Sequence, residues 1–107
     1  MATIVVLFNL RNAKDVNRYE EWAKTVDRPN VNALQSVEAF EVLKAQGVLG
    51  GGASPYQYIE IIRVTDMDQF GKDVATARMK EVAAQFQEFA RDPLFILTGT
   101  LSAATGT

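Results

Sequence analysis

The segment at residues 3–10, "TIVVLFNL", constrains the fold most, because a strand formed there is apolar on both of its alternating faces. Its two faces carry Ile4, Val6 and Phe8 on one side and Val5 and Leu7 on the other. Strands of this kind are typical of a sheet that is covered on both sides. A chain of 107 residues has no bulk for a second core, so we expect a single small domain.

The other patterns along the chain predict the element order β-α-β-β-α-β. Asp15 is expected to cap a first helix, and Pro29 is expected to end it. Thr65 or Asp66 is expected to cap the next helical segment, where a shift in phase near residues 75–77 predicts two helices or one kinked helix. Further strands are predicted over residues 36–46, over residues 56–64 and, once Asp92 and Pro93 have stopped the last helix, over residues 94–101.

This order predicts the ferredoxin-like plan of the α+β class, an antiparallel four-stranded sheet with both helices on one face. Residues 1–102 would form this domain and residues 103–107 a flexible C-terminal tail. The uncovered face is apolar as well, since Leu94 and Ile96 oppose Phe95 and Leu97 in the last strand. We therefore expect a homodimer, a dimeric α+β barrel in which that face packs on a second copy and a ligand cleft opens under the helices.

The glycine-rich stretch "GVLGGGASPY", residues 47–56, lacks the context of a phosphate-binding loop. Such a loop lies between a strand and the N-terminus of a helix, and a Lys follows its glycines. Here a strand follows and no Lys comes. We predict the connection of a β-hairpin, long enough to act as a mobile flap.

Composition excludes several classes of function. The chain has no Cys and no His, which removes thiol chemistry, the usual neutral-pH base and the commonest metal ligands, so no metal site is predicted. The formal net charge is −2 without a run of either sign, so nucleic acid is not an expected partner. Neither a membrane-spanning run nor a signal peptide is recognisable, so we expect a cytoplasmic protein without a membrane partner.

Three glutamates lie inside predicted strands with apolar neighbours: Glu60 in "YIEII", and Glu38 and Glu41 in "VEAFEV". Burial there would raise the pKa of a carboxyl group, and a raised pKa suits a general acid or base. The alternative is a rim glutamate paired with Lys44 or Arg63 across the sheet. For Glu38 and Glu41 the alternative is preferred, because the second strand is an edge strand in this fold.

Other polar residues lie where binding groups often occur. Asn9, near the end of the first strand, either bonds a ligand or caps the next turn. The connection at residues 26–34 concentrates Asp27, Arg28 and Asn32, which are either binding groups or helix-end and turn residues.

Aromatic side chains could line a pocket for a flat, apolar molecule. Trp22 and Tyr58 are the better candidates, because each carries a polar group. For the phenylalanines, Phe40 and Phe86 among them, the alternative of simple core packing is favoured by their spacing.

The run "WAKTVDRPNV" at residues 22–31, followed by "SVEAFEVL" and "YIEII", resembles the RedY-like (HapK-like) family of prodigiosin pathways over roughly residues 3–101. This resemblance implies a dimeric α+β barrel and a role in making pyrrole or indole pigments and related alkaloids. Family members resemble small, cofactor-free enzymes that assist cyclisation, dehydration or condensation of a reactive heteroaromatic intermediate. Related barrels include cofactor-independent monooxygenases and polyketide cyclases, often with a pocket His, which this chain lacks.

The leading hypothesis is therefore an enzyme that binds a small planar intermediate and moves a proton during ring closure or loss of water. Glu60 or Asp27 would be the base, Arg28 or Tyr58 would donate to developing negative charge, and Trp22 would stack on the ring. Two alternatives stay open. The first is a carrier or scaffold that only protects the intermediate, and the second is a cofactor-independent monooxygenase.

Overall fold

A computed structural model describes residues 1–102, in which four antiparallel strands form one sheet in the order β2-β3-β1-β4. The strands are β1 (Ala2–Leu10), β2 (Val37–Lys44), β3 (Tyr58–Val64) and β4 (Ala90–Thr98). This arrangement confirms the predicted α+β class and its ferredoxin-like strand order. The tail predicted at residues 103–107 lies outside the described residues.

All the helical segments lie in the two crossovers, between β1 and β2 and between β3 and β4. The segments are a 3₁₀ turn (Ala13–Asp15), α1 (Val16–Trp22), a π-helical turn (Ala23–Asp27), α2 (Arg28–Asn32), α3 (Met67–Asp73) and α4 (Ala77–Phe89). The phase shift is thus a break between α3 and α4, and Asp66, one of the two predicted caps, accepts from the backbone N–H groups of Asp68 and Gln69. Within residues 1–102 no helix is long and apolar enough to cross a membrane.

Two predictions about the first helix are wrong. The Asp15 side chain makes no capping hydrogen bond, and Asn12 instead accepts from Lys14 N at 2.9 Å. Pro29 does not end the helix, because it lies in the first turn of α2, where a missing N–H costs little. The π turn lets the helical path continue past the proline toward Asn32.

The predicted boundary of β4 is also wrong. The strand begins at Ala90 and ends at Thr98, rather than running from residue 94 to residue 101. Asp92 and Pro93 do not precede it but lie at an irregularity in its pairing with β1, and Asp92 has φ 46°. An edge strand tolerates such a bulge, because one side of its backbone needs no partner within the sheet.

The two faces of the sheet have different surroundings. The side chains of Val6, Phe8 and Val64 lie under the helices and are fully buried. On the open face Leu94 and Ile96 are 47% and 43% exposed, and their register partners Leu7 and Val5 are half-buried. The second apolar face expected from β1 therefore exists.

The glycine-rich stretch lies in the connection between β2 and β3, as predicted, and leads into a strand. Gly47, Gly51 and Gly52 adopt positive φ angles, which side-chain-bearing residues rarely adopt. At its far end, Asn9 Nδ2 donates to the Pro55 carbonyl at 3.0 Å.

Candidate functional site: a buried carboxyl pair

The centre of the candidate site is a pair of carboxyl groups buried between the sheet and the helices. Asp27 is 5% exposed and Glu60 is 4% exposed, and their side chains hydrogen-bond to each other. Glu60 pairs in register with Val6 and Val42, so its side chain lies on the helix-covered face of β3. Two groups that ordinarily repel each other as anions thus meet in an apolar core.

The π turn brings Asp27 to this position. Tyr19, Ala23 and Asp27 follow one another at four-residue intervals, and all three are buried. A π turn is wider than an α turn and is often found at functional sites. Here it ends at Asp27, whose side chain faces Glu60 on β3.

Burial is the main cause of the altered acidity of the pair. It raises the pKa of Asp27 from its ordinary 3.8 to about 7, against a smaller lowering effect of the hydrogen bond with Glu60. Burial, the charge of Asp27 and the same hydrogen bond all raise the pKa of Glu60 well above 4.5. Because the shared hydrogen bond raises the pKa of Glu60 and lowers that of Asp27, Glu60 is the donor of the pair and Asp27 accepts.

Two polar atoms near the pair have no hydrogen-bond partner among residues 1–102: Glu60 Oε2 and the hydroxyl of Tyr19. Tyr19 is fully buried, and burial together with the nearby charges of Glu60 and Asp27 raises its pKa, so the hydroxyl stays protonated. Buried polar groups in proteins are nearly always paired. These atoms are therefore candidates to bind a ligand.

A cavity of about 140 Å³ lies beside the carboxyl pair. Apart from the pair it is lined mainly by apolar side chains from α2, α4, β4 and the connection between α3 and α4. These are Val31, Val74, Met79, Val82, Ala83, Phe86 and Phe95, and Gln87 is a further polar residue. Gln87 and Phe95 are exposed, so the cavity opens between α4 and β4. Phe86 is thus both a core residue and a cavity residue.

A second hollow of about 160 Å³ contains two of the other predicted catalytic residues, Tyr58 and Arg28. The Tyr58 hydroxyl donates to Glu20 Oε2 at 2.7 Å, and Lys44 Nζ lies 2.7 Å from the same oxygen. The pKa of Glu20 is lowered, first by its bond with Lys44 and then by that with Tyr58. Tyr58 and Arg28 do not line the carboxyl cavity, which corrects the expectation of one shared catalytic group.

The predicted residues of the β2 edge line a third feature, an open groove of about 540 Å³. Asn32 Oδ1 accepts from Phe40 N at 3.0 Å and its Nδ2 donates to Phe40 O at 3.1 Å, so its amide blocks the edge of β2. Phe40 is buried core, while Glu38 is exposed at a bulge between Val37 and Ala39. These three residues lie away from the carboxyl cavity.

Asn9 and Trp22 have structural partners. Besides its bond to Pro55, Asn9 accepts from Gln57 N at 2.9 Å, so it holds the end of the β2–β3 connection and does not cap the turn that follows β1, where Asn12 is the cap. Trp22 Nε1 donates to Gln85 Oε1 at 2.8 Å, and its ring packs 5.5 Å from that of Phe89. Neither residue lines the carboxyl cavity, and stacking of Trp22 on a ligand stays a prediction.

Comparison with known proteins shows which family this chain belongs to. The sequence matches the family described as "REDY-like protein HapK" over residues 2–101. The chain belongs to the HapK family. HapK from Hahella chejuensis has a crystal structure that shares 26% sequence identity with this family member and covers 97% of this chain and 96% of that chain, with a TM-score of 0.78. Among curated proteins the chain has no significant match.

Two more distant structures show the same fold. A dabb family protein with a ferredoxin-like fold from Mesorhizobium loti is 15% identical and covers 94% of this chain and 97% of that chain, with a TM-score of 0.74. SnoaB, a cofactor-independent oxygenase from Streptomyces nogalater, is 16% identical and covers 96% of this chain and 95% of that chain, with a TM-score of 0.73.

Sequence reasoning missed Tyr19 as a site residue of this HapK family member, because it lies on the apolar stripe of a helix and reads as core. A signal was present in the four-residue spacing of Tyr19, Ala23 and Asp27.

The predicted alternative in which Glu60 pairs with Lys44 or Arg63 is wrong, since Lys44 bonds Glu20 and Arg63 is exposed. Within residues 1–102 no three His, Cys, Asp or Glu side chains come together in a way that would hold a metal ion.

Proposed function

We propose that this HapK family member is a cytoplasmic, cofactor-free acid–base enzyme of secondary metabolism, acting on a planar pyrrole- or indole-derived intermediate. The observation that carries the proposal is the carboxyl pair of Asp27 and Glu60, buried beside a cavity. Paired carboxyls with raised pKa values are typical of proton-transfer sites. The family and its resemblance to pigment-pathway proteins support the metabolic setting.

Each carboxyl has a distinct role in this proposal. Glu60, which holds the proton, acts as the general acid and donates to a leaving hydroxyl, which departs as water. Asp27, with a pKa raised to about 7, acts as the general base and takes a proton from the ring carbon or nitrogen. The pair then returns to its starting state when the proton passes from Asp27 back to Glu60.

The test uses Asp27→Asn and Glu60→Gln with candidate intermediates of the pathway. Each substitution keeps the shape of the side chain but removes its titrating proton, so product formation should fall by about 10² to 10⁴-fold while binding persists. Glu88→Gln, at an exposed position of α4, is the matched control and should leave the rate unchanged. Unchanged rates in both carboxyl variants would contradict the enzyme.

The apolar lining of the cavity also favours a second candidate, a carrier that protects the intermediate from water. A carrier needs the cavity but no titrating pair. Slower decay of the intermediate with wild type, Asp27→Asn and Glu60→Gln alike would support it. Product formation that stops when oxygen is removed would instead support the monooxygenase alternative.

We also propose that the protein works as a homodimer joined through the open face of its sheet. Leu94 and Ile96, both more than two-fifths exposed, lie beside further apolar side chains on that face. Monomers seldom leave such a patch in water. Ile96→Glu should convert the dimer to a monomer in sedimentation velocity at micromolar concentration. A wild-type protein that sediments as a monomer would contradict this proposal.

A further inference from the structure

We propose that the cavity beside the carboxyl pair accepts one ring of the ligand through an N–H donor or a protonated nitrogen, and rejects rings that carry an anionic group. This inference rests on the proposed function, since it concerns the ligand of the same site. It adds the size of the bound part and the sign of the charge that the site selects.

The size of the cavity limits what enters. Its volume of about 140 Å³ is close to that of an engineered apolar cavity, roughly 150 Å³, which binds benzene. One five- or six-membered ring therefore fits. The rest of a larger intermediate would leave between α4 and β4, past the exposed side chains of Gln87 and Phe95.

The polar groups of the cavity wall favour a ligand that carries a hydrogen-bond donor. Glu60 Oε2 is a buried acceptor without a partner in residues 1–102. None of the described residues that line the cavity is Lys or Arg, and Gln87 is the lining amide. A ligand carboxylate would be buried beside Asp27 and Glu60 without a counter-ion, which is strongly unfavourable.

The groups facing the pair come from every surrounding element. The charges of Glu60 and Asp27 raise the pKa of Tyr19 on α1, and Tyr58 on β3 and Glu20 on α1 act on the same hydroxyl. The lining residues of α4 and β4 are uncharged. A cationic ligand therefore favours the ionised form of the pair and releases protons on binding, whereas a neutral N–H donor does not.

The second hollow provides an internal contrast. Lys24, Arg28 and Lys44 line it together with Glu20, so cations outnumber the acid there. A small anion that binds this protein weakly would be expected in that hollow. Its binding would respond to Lys44→Met and not to Glu60→Gln.

The experiment is isothermal titration of the wild-type protein with three planar one-ring probes of matched shape: benzamidine, benzamide and benzoate. Benzamidine and benzamide should bind, and benzoate should bind at least about tenfold more weakly, a difference near 1.4 kcal/mol. Repeating the benzamidine titration in two buffers of different ionisation enthalpy should reveal release of up to about one proton. Benzamide should release none.

Variants test whether the carboxyl pair causes the preference among the probes. Glu60→Gln and Asp27→Asn should each reduce the preference for benzamidine over benzoate by about tenfold or more, while Glu88→Gln should leave it unchanged. Benzoate binding as tightly as benzamidine, a preference that survives in both carboxyl variants, or no binding of any probe would overturn the inference. The readout is binding alone, so a confirmed preference together with unchanged catalytic rates in the variants would contradict the enzyme and not the selectivity.

Discussion

Glu20 and Glu60 line different hollows, and their pKa values are shifted in opposite directions. Glu20 faces Lys44 Nζ and the Tyr58 hydroxyl, each at 2.7 Å, and its pKa is lowered. Glu60 faces another carboxyl in an apolar cavity, and its pKa is raised well above the ordinary value. The ionised form of the glutamate side chain is favoured in one hollow and its protonated form in the other.

The difference shows that the neighbours of a carboxyl group determine its role. A glutamate with a cation and a hydroxyl donor is a structural anion that joins α1 to β2 and β3. A buried glutamate without a cationic neighbour keeps a proton that it can transfer. The proposed chemistry is therefore confined to the cavity whose lining carries no Lys or Arg among the described residues.

The largest expected effect is on the pH dependence of stability. Between about pH 4 and pH 7 the unfolded chain loses the Asp27 proton while the folded chain keeps it, so the free energy of unfolding should fall as pH rises. The shift from 3.8 to about 7 corresponds to at most about 4 kcal/mol. Urea unfolding at pH 4.5 and pH 8 should show this fall in wild type and a smaller one in Asp27→Asn, where the burial of Glu60 still contributes.

Glu20→Gln is a control, because the contribution of Glu20 to stability depends on pH in the opposite direction to that of Asp27. A lowered pKa stabilises the fold above the ordinary pKa, and this contribution is lost as the pH falls. The variant should therefore lose a little stability near pH 7 and differ least from wild type in acid. Equal pH dependence in wild type and Asp27→Asn would contradict the assignment of a buried, protonated pair.

The two tyrosines should give effects of opposite sign. Tyr58→Phe removes the donor to Glu20 and should destabilise the protein by about 1 kcal/mol. Tyr19→Phe removes a buried hydroxyl without a partner in the described chain, so the free energy of unfolding should stay the same or rise by up to about 1 kcal/mol. Denaturant unfolding of both variants checks the signs. A loss of stability in Tyr19→Phe equal to that in Tyr58→Phe would show that Tyr19 has a structural partner.

The smallest effect is expected from Lys44→Met. The Lys44 side chain is 58% exposed, and ion pairs of this kind contribute about 0 to 1 kcal/mol. The variant should change the free energy of unfolding by less than about 1 kcal/mol, while the pKa of Glu20, followed by carboxyl NMR titration, should rise. An unchanged Glu20 pKa would show that Tyr58 alone holds this carboxylate.

Much of the fold followed from local patterns. The two apolar faces of residues 3–10 and the phase shift near residues 75–77 each had a direct structural counterpart in β1 and in the break between α3 and α4. Errors arose where tertiary contacts override local preference. Pro29 continues a helix because a π turn precedes it, and Asp92 lies within β4 because an edge strand accepts a bulge.

The candidate site was predicted in part. Asp27 and Glu60 were each identified, from a polar connection and from an acid inside an apolar strand, and the structure joins them. The groove at the edge of β2 is lined by Arg28, Asn32, Glu38 and Phe40, and Asn32 bonds Phe40 eight residues away. Tyr58, Asn9 and Trp22 bond partners that are distant in sequence. Those partners lie up to 63 residues away, so spacing along the chain carries no information about them.

The sequence by itself determined the α+β class, the two apolar faces of the sheet and the absence of His and Cys, because periodicity and composition are local properties. Only the tertiary structure decided which carboxyl group contacts a cation and which contacts another carboxyl group. That choice depends on the π turn, which rotates Asp27 inward, and on the β-register, which sets Glu60 opposite Val6 on the helix side. Desolvation and charge act through space, so the protonated pair exists only once the chain has folded.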